Sequence, residues 1–450
     1  MKKRILFIGL YDDHNFGDPI IGECTEWLYR RQLGKLGIGL DPEKAVLDYA
    51  DRYMKTDIIT RIFFFILRKL KFNNDKLQFT KQKLNYLKYY NSIIEKQDLI
   101  VVNGGGLLKF KVQFFGPSLY ALLDIAKKHS IPVIFNSIGV EGFDNHNFKC
   151  KVLKKILRHK ALKAISTRDD ILTLKDKYYD QAPPIPCDAI CDPAVWSSET
   201  FGIHNQKSNA IGIGIIRKNI FSDYGSNIDS DVLKDLYLTI VQNLADDNYN
   251  VSLFTNGLEL DNEFAVQIKD ELLRQGYNVS LYIPTSPREL VRIISNYKAI
   301  IAGRLHAIII AYSLDIPAIG LVWNTKLSLF GKNIGHPENF IGPENMESHQ
   351  IINSLKKAIK TGYNKEIRNK FKESILEHID RVLLKTCKIS MSNKYNNYYT
   401  IDNIGGVILD LTIIEYHNIS AIVFTSMQIH NIFSKDMSFL HINLLHPVSA

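Results

Sequence analysis

Cysteine is scarce in this chain, and the few cysteines are scattered. There are five among 450 residues, an odd number without a secretory leader, which is typical of a reducing cytoplasm and not of a disulfide framework. Cys187 and Cys191 stand close together but lack two further ligands at zinc spacing. No metal site is therefore predicted.

Long apolar runs are also missing. The longest burst, within RIFFFILRKLKF at residues 61–72, is far shorter than the roughly 20 residues that span a bilayer. The basic and apolar N-terminus soon reaches acidic residues without a small-residue cleavage site, which predicts a first β-strand and not a leader. We therefore expect a cytoplasmic protein without a transmembrane helix.

Signatures of nucleic-acid binding are absent too, although the chain is basic. The formal net charge of +9 favours anionic partners such as phosphates, acidic glycans or an anionic membrane face. No zinc-finger spacing or aromatic RNA-binding signature accompanies this charge, and the lysines are spread along the chain. We expect no nucleic-acid partner.

Short apolar strands alternate with longer helical patterns through most of the chain, which predicts parallel sheets covered by helices. The proline-rich stretch 181–206 separates two series of strands. We predict an α/β protein with two Rossmann-like, doubly wound domains facing a cleft, as in glycosyltransferase-B enzymes. The predicted domains are residues 1–205 and 206–365, followed by a C-terminal helix and an unassigned tail at 366–450. The predicted strands start at Arg4, Asp98, Ile131, Lys163, Ala210, Asn250, Asn278, Ala299 and Ile316.

Two further segments have distinctive local patterns. Ser286, Pro287 and Glu289 occupy the positions of an N-cap, a first-turn proline and a capping-box acid, which predicts a helix over 286–296. Residues 43–97 form a basic, aromatic insertion with a helical pattern. Packing against the first domain is its expected role, and peripheral binding to an anionic membrane surface is the alternative.

The segment from Ala299 to Leu327 carries the strongest chemical signal, because it predicts strand, turn, helix and strand in succession. Arg304 and His306 then lie between a strand end and the first turn of a helix, where backbone N–H groups and the helix dipole favour an anion. Arg304 can bind phosphate or carboxylate through two hydrogen bonds. His306 titrates near neutrality and can donate a proton to a reacting carbon.

Further candidates follow other strands. The three glycines at 104–106 permit either the close approach of backbone to a ligand or a tight structural turn. Asp18, in the segment NFGD, either caps the next helix or orients a substrate hydroxyl. Arg168 and Arg217 end strands in different domains, so we expect them to converge with Arg304 on one anionic ligand.

Seven segments, in this order, resemble those of the polysaccharide pyruvyltransferase family. They are NFGD at Asn15, VVNGGGLL at Val101, SIGVEG at Ser137, STRDD at Ser166, CDPAVW at Cys191, GIGIIR at Gly212 and GRLHAIIIAYSLDIPAIGL at Gly303. The last block, followed by Lys326, is the most specific. The resemblance extends over residues 4–345, whereas 43–97 and 400–450 have no counterpart.

The resemblance implies phosphoenolpyruvate as donor, a glycan acceptor that receives a pyruvate ketal, and no metal or other cofactor. It implies that Arg304, Arg217 and Arg168 bind the donor and that His306 is the general acid. Asp18 or Glu141 is expected to take the hydroxyl proton. The other donor-binding candidates are Gly104, Gly105, Gly106, Asn15 and Lys326, and the acceptor-binding candidates are Glu141 and Asn256. A lipid-linked oligosaccharide, met at the inner face of the cell membrane, is the expected acceptor.

Two other functions stay open at this level. A glycosyltransferase with the same fold and a nucleotide-sugar donor needs a ribose-binding acid late in the second domain, which Glu338 or Glu344 could supply, and the fold alone does not separate the two chemistries. A non-catalytic glycan-binding subunit is the other alternative. The joint presence of three arginines and His306 argues against it. The sequence specifies neither the acceptor sugar nor the oligomeric state.

Overall fold

The structure is a computed structural model that describes residues 2–12, 14–54, 74–111, 113–180, 183–386, 398–404, 407–416 and 419–429. The chain forms two compact units, Met1–Cys387 and Lys388–Ala450. Residues 55–73 of the predicted insertion at 43–97 lie outside the described residues, and membrane binding by the insertion stays a prediction. In the second unit, three strands form an antiparallel sheet in the order β13-β14-β15. They are β13 (Tyr398–Ile404), β14 (Val407–Tyr416) and β15 (Ile419–Ile429).

Six parallel strands form the first sheet of the larger unit, in the order β2-β1-β3-β4-β5-β6. Their bounds are β1 (Lys2–Gly9), β2 (Gly39–Val46), β3 (Leu99–Asn103), β4 (Val133–Ile138), β5 (Leu162–Thr167) and β6 (Cys187–Ala189). Strands β3 and β4 are buried along their whole length, as parallel strands between layers of helices are. The strand order reverses between β1 and β3, so a topological switch point lies at the carboxyl ends of these two strands.

A second sheet of six parallel strands has the order β12-β11-β10-β7-β8-β9. Its strands are β7 (Ala210–Gly214), β8 (Asn250–Phe254), β9 (Ser280–Tyr282), β10 (Ala299–Ala302), β11 (Ala318–Leu321) and β12 (Phe340–Ile341). This is the order of the dinucleotide-binding Rossmann sheet, in which the switch point lies between the first strand and the fourth. Here these strands are β7 and β10.

Helices connect the strands and flank both sheets. Their bounds are α1 (Gly17–Lys35), α2 (Tyr49–Tyr53), α3 (Asn74–Ile93), α4 (Gly116–Lys128), α5 (Phe148–Leu157), α6 (Ser197–Phe201), α7 (Ile220–Asp223), α8 (Ser230–Asp246), α9 (Glu259–Arg274), α10 (Pro287–Ser295), α11 (Leu305–Ser313), α12 (Thr325–Asn333), α13 (Ser348–Thr361) and α14 (Lys365–Thr386). A π-helix spans Thr173–Tyr179, and 3-10 turns span Pro193–Trp196, Pro337–Asn339 and Pro343–Asn345. Of the helices that the structure describes, none combines the length and the apolar character that crossing a bilayer requires.

Helix α10 begins where the sequence predicts. The Ser286 hydroxyl accepts a hydrogen bond from the Glu289 N–H at 3.2 Å, and the Glu289 carboxylate accepts one from the Thr285 N–H at 2.8 Å. Two backbone donors at the start of the helix are thereby satisfied. The predicted helix is confirmed, with Ser286 and Asn296 as its capping residues.

Three strands of the two parallel sheets were not predicted, and all three are edge strands. Residues 43–46, which the sequence analysis assigns to a helical insertion, form the second half of β2. Pro42 lies in the same strand, and an edge position tolerates a proline because only one side of the strand is paired. β6 and β12 have three and two residues, too few to show a period.

Helix α14 links the two halves of the larger unit. The Trp196 indole N–H donates to the Lys372 carbonyl at 3.1 Å, and Trp196 follows the first sheet in sequence. On the same helix, the Arg368 guanidinium donates to the Tyr312 carbonyl at 3.0 Å, and Tyr312 belongs to the second half. The last helix of the unit is therefore hydrogen-bonded to both halves.

Candidate active site

The loops at the carboxyl ends of the two sheets contact each other. The NFGD loop (residues 15–18) follows β1, and its Phe16 N–H donates to the carbonyl of Asn256, just beyond β8, at 3.0 Å. A Cβ atom on the next residue, Gly257, would lie 2.6 Å from the His14 carbonyl. Both halves thus meet where open α/β sheets bind ligands.

Arg168, Asp192 and His306 form a buried charged cluster at this junction. Arg168 Nη1 makes an ion pair with Asp192 Oδ2 and lies 3.3 Å from His306 Nε2. His306 Nε2 is 3.6 Å from the same carboxylate oxygen. Arg168 directly follows β5, and His306 lies in the first turn of α11. The structure therefore brings together two of the sequence-predicted residues from different halves.

Asp192 keeps its negative charge in this cluster. Burial would raise the pKa of its carboxyl group, but Arg168 and His306 outweigh that effect and hold the pKa well below its usual range. Burial likewise opposes the charge on Arg168, yet Asp192, Asp169 and Asp18 raise the pKa of its guanidinium. One fixed anion and one fixed cation therefore lie next to His306 Nε2.

Gly17 packs against the ring of His306. A Cβ atom at Gly17 would lie 2.2 Å from His306 Nδ1 and 2.5 Å from Cγ, much closer than van der Waals contact. The imidazole, of which 8% is exposed, is thus held between the NFGD loop and the pair formed by Arg168 and Asp192. A larger residue at position 17 would displace the ring.

Asp261 anchors the two arginines of the second half. Its buried carboxylate accepts hydrogen bonds from the Arg304 guanidinium at 2.7 and 2.6 Å and from the Arg217 backbone N–H at 2.9 Å. The Arg217 guanidinium pairs with Asp223 at 2.6 Å. The convergence of the three arginines on one anionic ligand stays a prediction. Each guanidinium has its own carboxylate, because burying an unpaired charge is costly.

Glu141 and Lys326 form a second charged contact between the halves. Their side chains pair at 2.5 Å. Lys326 also lines a recess that is open to solvent, together with Arg168 and Asp192. Asp169 and apolar side chains of α11, α12 and α14 complete the lining. The residues predicted for the donor and acceptor sides are thus in direct contact at Lys326 and Glu141.

The triple glycine forms a tight turn after β3. Gly105 has a φ of 85°, and a Cβ atom there would lie 3.5 Å from Asp18 Oδ1. A Cβ atom on Gly104 would lie 3.0 Å from the Ser137 carbonyl. The alternative role of Asp18 as a helix cap is wrong, because Phe16 occupies the N-cap position of α1 and no side chain caps this helix. The Asp18 carboxylate faces the glycine turn instead.

Asn15 and Asn256 shape the junction through their backbones. The Asn15 carbonyl accepts from the Asp18 N–H at 3.2 Å, and the Asn256 carbonyl holds the Phe16 N–H. Asn256 is 2% exposed. A contact between its side chain and an acceptor stays a prediction.

The two candidate ribose-binding acids lie at opposite ends of β12. Glu338 precedes the strand and pairs with His336 at 3.0 Å, so it lies at the amino end of the sheet. Glu344 follows the strand and reaches the carboxyl edge. Of the two, only Glu344 is placed as a nucleotide-sugar site requires.

Three residues of the site were not predicted. Asp192 stands in CDPAVW, where an acid before a proline turn is a readable signal, and its carboxylate accepts from the Ala194 N–H at 2.9 Å. Lys109 follows the triple glycine closely in sequence, and this position is the signal that indicates a site residue. Asp261 lies within α9, and no local pattern indicates its distant partner Arg304.

A family model described as polysaccharide pyruvyl transferase matches residues 29–325, about two thirds of the chain. The chain belongs to the polysaccharide pyruvyl transferase family. The matched range includes Arg168, Asp192 and His306, and it excludes the NFGD loop and Lys326. In this pyruvyl transferase, the glycine that packs against His306 therefore comes from outside the matched range. No curated protein is significantly similar in sequence.

Solved structures show the fold class of this pyruvyl transferase. The UDP-GlcNAc 2-epimerase from Methanocaldococcus jannaschii superposes with a TM-score of 0.53 at 15% identity, over 86% of this chain and 100% of that chain. The S. aureus MnaA–UDP complex superposes with a TM-score of 0.50 at 11% identity, over 86% and 98%. Identities this low show the shared fold alone. The predicted architecture of two Rossmann-like halves, of the glycosyltransferase-B type, is confirmed.

Proposed function

We propose that this family member transfers the enolpyruvyl unit of phosphoenolpyruvate to two hydroxyl groups of a sugar, forming a pyruvate ketal and releasing phosphate, with no metal or other cofactor. The acceptor that we propose is a lipid-linked precursor of a surface glycan, met at the inner face of the cell membrane. The observation that supports this function is the buried cluster of Arg168, Asp192 and His306 within the family-matched range. A proton donor next to fixed charges suits a donor that carries both carboxylate and phosphate.

The reaction needs one proton at carbon. Protonation of the methylene carbon makes the neighbouring carbon oxocarbenium-like, and a sugar hydroxyl adds there and loses its proton. The bond from this carbon to the phosphate oxygen then breaks, and phosphate leaves with the electron pair. A second hydroxyl adds to the same carbon and loses its proton. In balance, one hydroxyl hydrogen ends on the new methyl group and the other leaves with phosphate.

The contacts in the cluster support a role for each residue. His306 is the general acid, and Arg168 and Asp192 hold its ring in place, 3.3 Å and 3.6 Å from its Nε2. Asp18 and Glu141 are the carboxylates that take a hydroxyl proton. They are partly exposed beside the glycine turn.

The arginines differ in how readily they can bind a donor. Asp261, the partner of Arg304, is fully buried, whereas Asp223, the partner of Arg217, is about half exposed. An exposed partner is held weakly, because water screens the pair. We therefore assign to Arg217 the exchange of its own carboxylate for a donor anion, while Arg304 stays fixed and contributes its charge.

A nucleotide-sugar glycosyltransferase is the second candidate, favoured by the position of Glu344 at the carboxyl edge. The solved structures do not distinguish the two functions, since their likeness extends to the fold alone. A non-catalytic glycan-binding subunit is the third candidate. It predicts that the wild type transfers no group and that substitution of His306 therefore changes no rate.

Thermal-shift titration tests the assignment, because a ligand that binds only the folded state raises its melting temperature. Phosphoenolpyruvate is expected to stabilise the wild type and His306→Ala, but Arg217→Ala much less. Arg292→Ala, on the exposed face of α10, is the matched control and should respond like the wild type. In His306→Ala, transfer should fall by roughly 100- to 10,000-fold. Stabilisation by nucleotide sugars and not by phosphoenolpyruvate would overturn the proposal.

A further inference from the structure

Lys109 is a largely buried lysine beside the glycine turn, and the proposed reaction leaves it unused. Its ammonium group donates to Gln113 Oε1 at 3.1 Å and forms no ion pair with a carboxylate in the part of the chain that the structure describes. Burial lowers the pKa of this amine; Glu141 opposes that effect, and Lys326 adds to it. A lysine in these surroundings gains stability when an anion approaches.

Lys109 and Glu141 flank Gly106, and Lys326 pairs with Glu141. A Cβ atom on Gly106 would lie 2.8 Å from Lys109 Cε, 3.2 Å from its Nζ and 3.1 Å from Glu141 Oε1. The same Glu141 oxygen pairs with Lys326 at 2.5 Å. Glu141 thus lies near two ammonium groups from opposite halves but pairs with Lys326 alone, and the cluster has an excess of positive charge. Space for a ligand lies beside this cluster, in the recess that Lys326 lines with Arg168 and Asp192.

We propose that Lys109 and Lys326 form a phosphate subsite, which binds the phosphate group of the donor and then the released product. This inference rests on the proposed function. A phosphate dianion compensates both ammonium groups, which the single charge of Glu141 cannot do, and lysine binds phosphate as a point charge without a fixed planar geometry.

The subsite gives Glu141 a second role. When phosphate takes its place beside Lys326, the Glu141 carboxylate loses its ion pair and becomes available to accept the proton of a sugar hydroxyl. The base is then free only while the donor is bound. This order suits a reaction in which the hydroxyl must attack after the donor has been activated.

Isothermal titration with inorganic phosphate and, separately, with pyruvate tests the subsite. Lys109→Ala is expected to weaken phosphate binding by roughly tenfold or more, the usual effect of losing a hydrogen bond to a charged group, and to leave pyruvate binding unchanged. Lys109→Arg, which keeps the charge, should retain phosphate binding. The matched control is Lys111→Ala, an exposed lysine two positions along the chain, which should bind both ligands like the wild type.

The outcomes separate this inference from the proposed function. If the wild type binds phosphoenolpyruvate but Lys109→Ala binds phosphate with unchanged affinity, the subsite is overturned and the transferase assignment stands. Failure of the wild type to bind phosphoenolpyruvate would overturn the proposed function as well. Melting temperatures of the variants show whether any loss of binding comes from unfolding.

Discussion

Asp192 serves two functional side chains with one carboxylate and also caps the turn that follows it. Its Oδ2 faces Arg168 and His306, and its Oδ1 accepts the Ala194 N–H. Removing the charge would leave the Arg168 guanidinium buried without a counter-ion, a costly arrangement. Loss of activity in an Asp192 variant could therefore come from structure or from chemistry, and a pH profile separates the two.

We expect Asp192→Asn to lower kcat by roughly 10- to 100-fold, part of what general acid catalysis contributes. The neutral amide leaves the Arg168 guanidinium, 3.3 Å from His306 Nε2, without its counter-ion, so the charges that surround the imidazole change. The dependence of kcat on pH should therefore differ from that of the wild type. The measurement is kcat against pH for the wild type, Asp192→Asn and Asp247→Asn, a surface control paired with Lys356. A reduced melting temperature with an unchanged pH profile would show a purely structural role.

At the scale of elements, the start of α1 is constrained by another element far away in sequence. Gly17 is the first residue of this helix, and its Cα faces the His306 ring of α11. Gly34, near the other end of the same helix, has nothing within 4 Å of a Cβ position. One helix thus carries a glycine that the site requires and a glycine that it does not.

Gly17→Ala is expected to displace the imidazole and to reduce turnover strongly, with only a modest loss of stability. Gly34→Ala should keep full activity and raise the free energy of unfolding by about 0.5–1 kcal/mol, because alanine loses less backbone entropy in a helix. Urea unfolding and initial rates measure both effects. Equal activities of the two variants would mean that the ring tolerates displacement.

The elements also show what a single sequence reveals. Strands such as β3 and β4 are predicted because a buried parallel strand is apolar along its whole length, whereas β6 and β12 are too short for any pattern. Ligands of open α/β sheets bind at the carboxyl ends of the strands, and this predicts that Arg168, Arg304 and His306 lie near a ligand. The same rule does not give their partners, because Asp192 and Asp261 come from elements that meet them only after folding, and no local pattern encodes such a contact.

At the scale of the whole unit, helix α14 is linked to strand β6 of the first sheet by polar side chains. His378 Nδ1 lies 2.8 Å from Asp188 Oδ2, in strand β6. This hydrogen bond lowers the pKa of Asp188, although burial opposes it. The pKa of Asp192 is lowered as well. A carboxyl group whose pKa is lower in the folded state contributes stability above its unfolded pKa, and this contribution is lost as the pH falls.

The larger unit should therefore lose stability as the pH falls below about 4, the ordinary carboxyl range. Asp188→Asn is expected to cost roughly 1–2 kcal/mol at neutral pH, as for a hydrogen bond to a charged group, and less in acid. Urea midpoints at neutral and acidic pH measure this, with Asp41→Asn, at an exposed position of β2, as the control. The same loss for Asp188→Asn at both pH values would contradict the assignment.

The ion pairs that the arginines form within the chain also determine which dissolved ions bind weakly at the site. Chloride and other monovalent ions offer one charge without directed hydrogen bonds. They therefore compete poorly for Arg304 with the Asp261 carboxylate, which accepts two hydrogen bonds from its guanidinium. The Arg304 guanidinium is therefore closed to the salt of the surrounding solution, whereas the more exposed pair of Arg217 and Asp223 stays open to exchange.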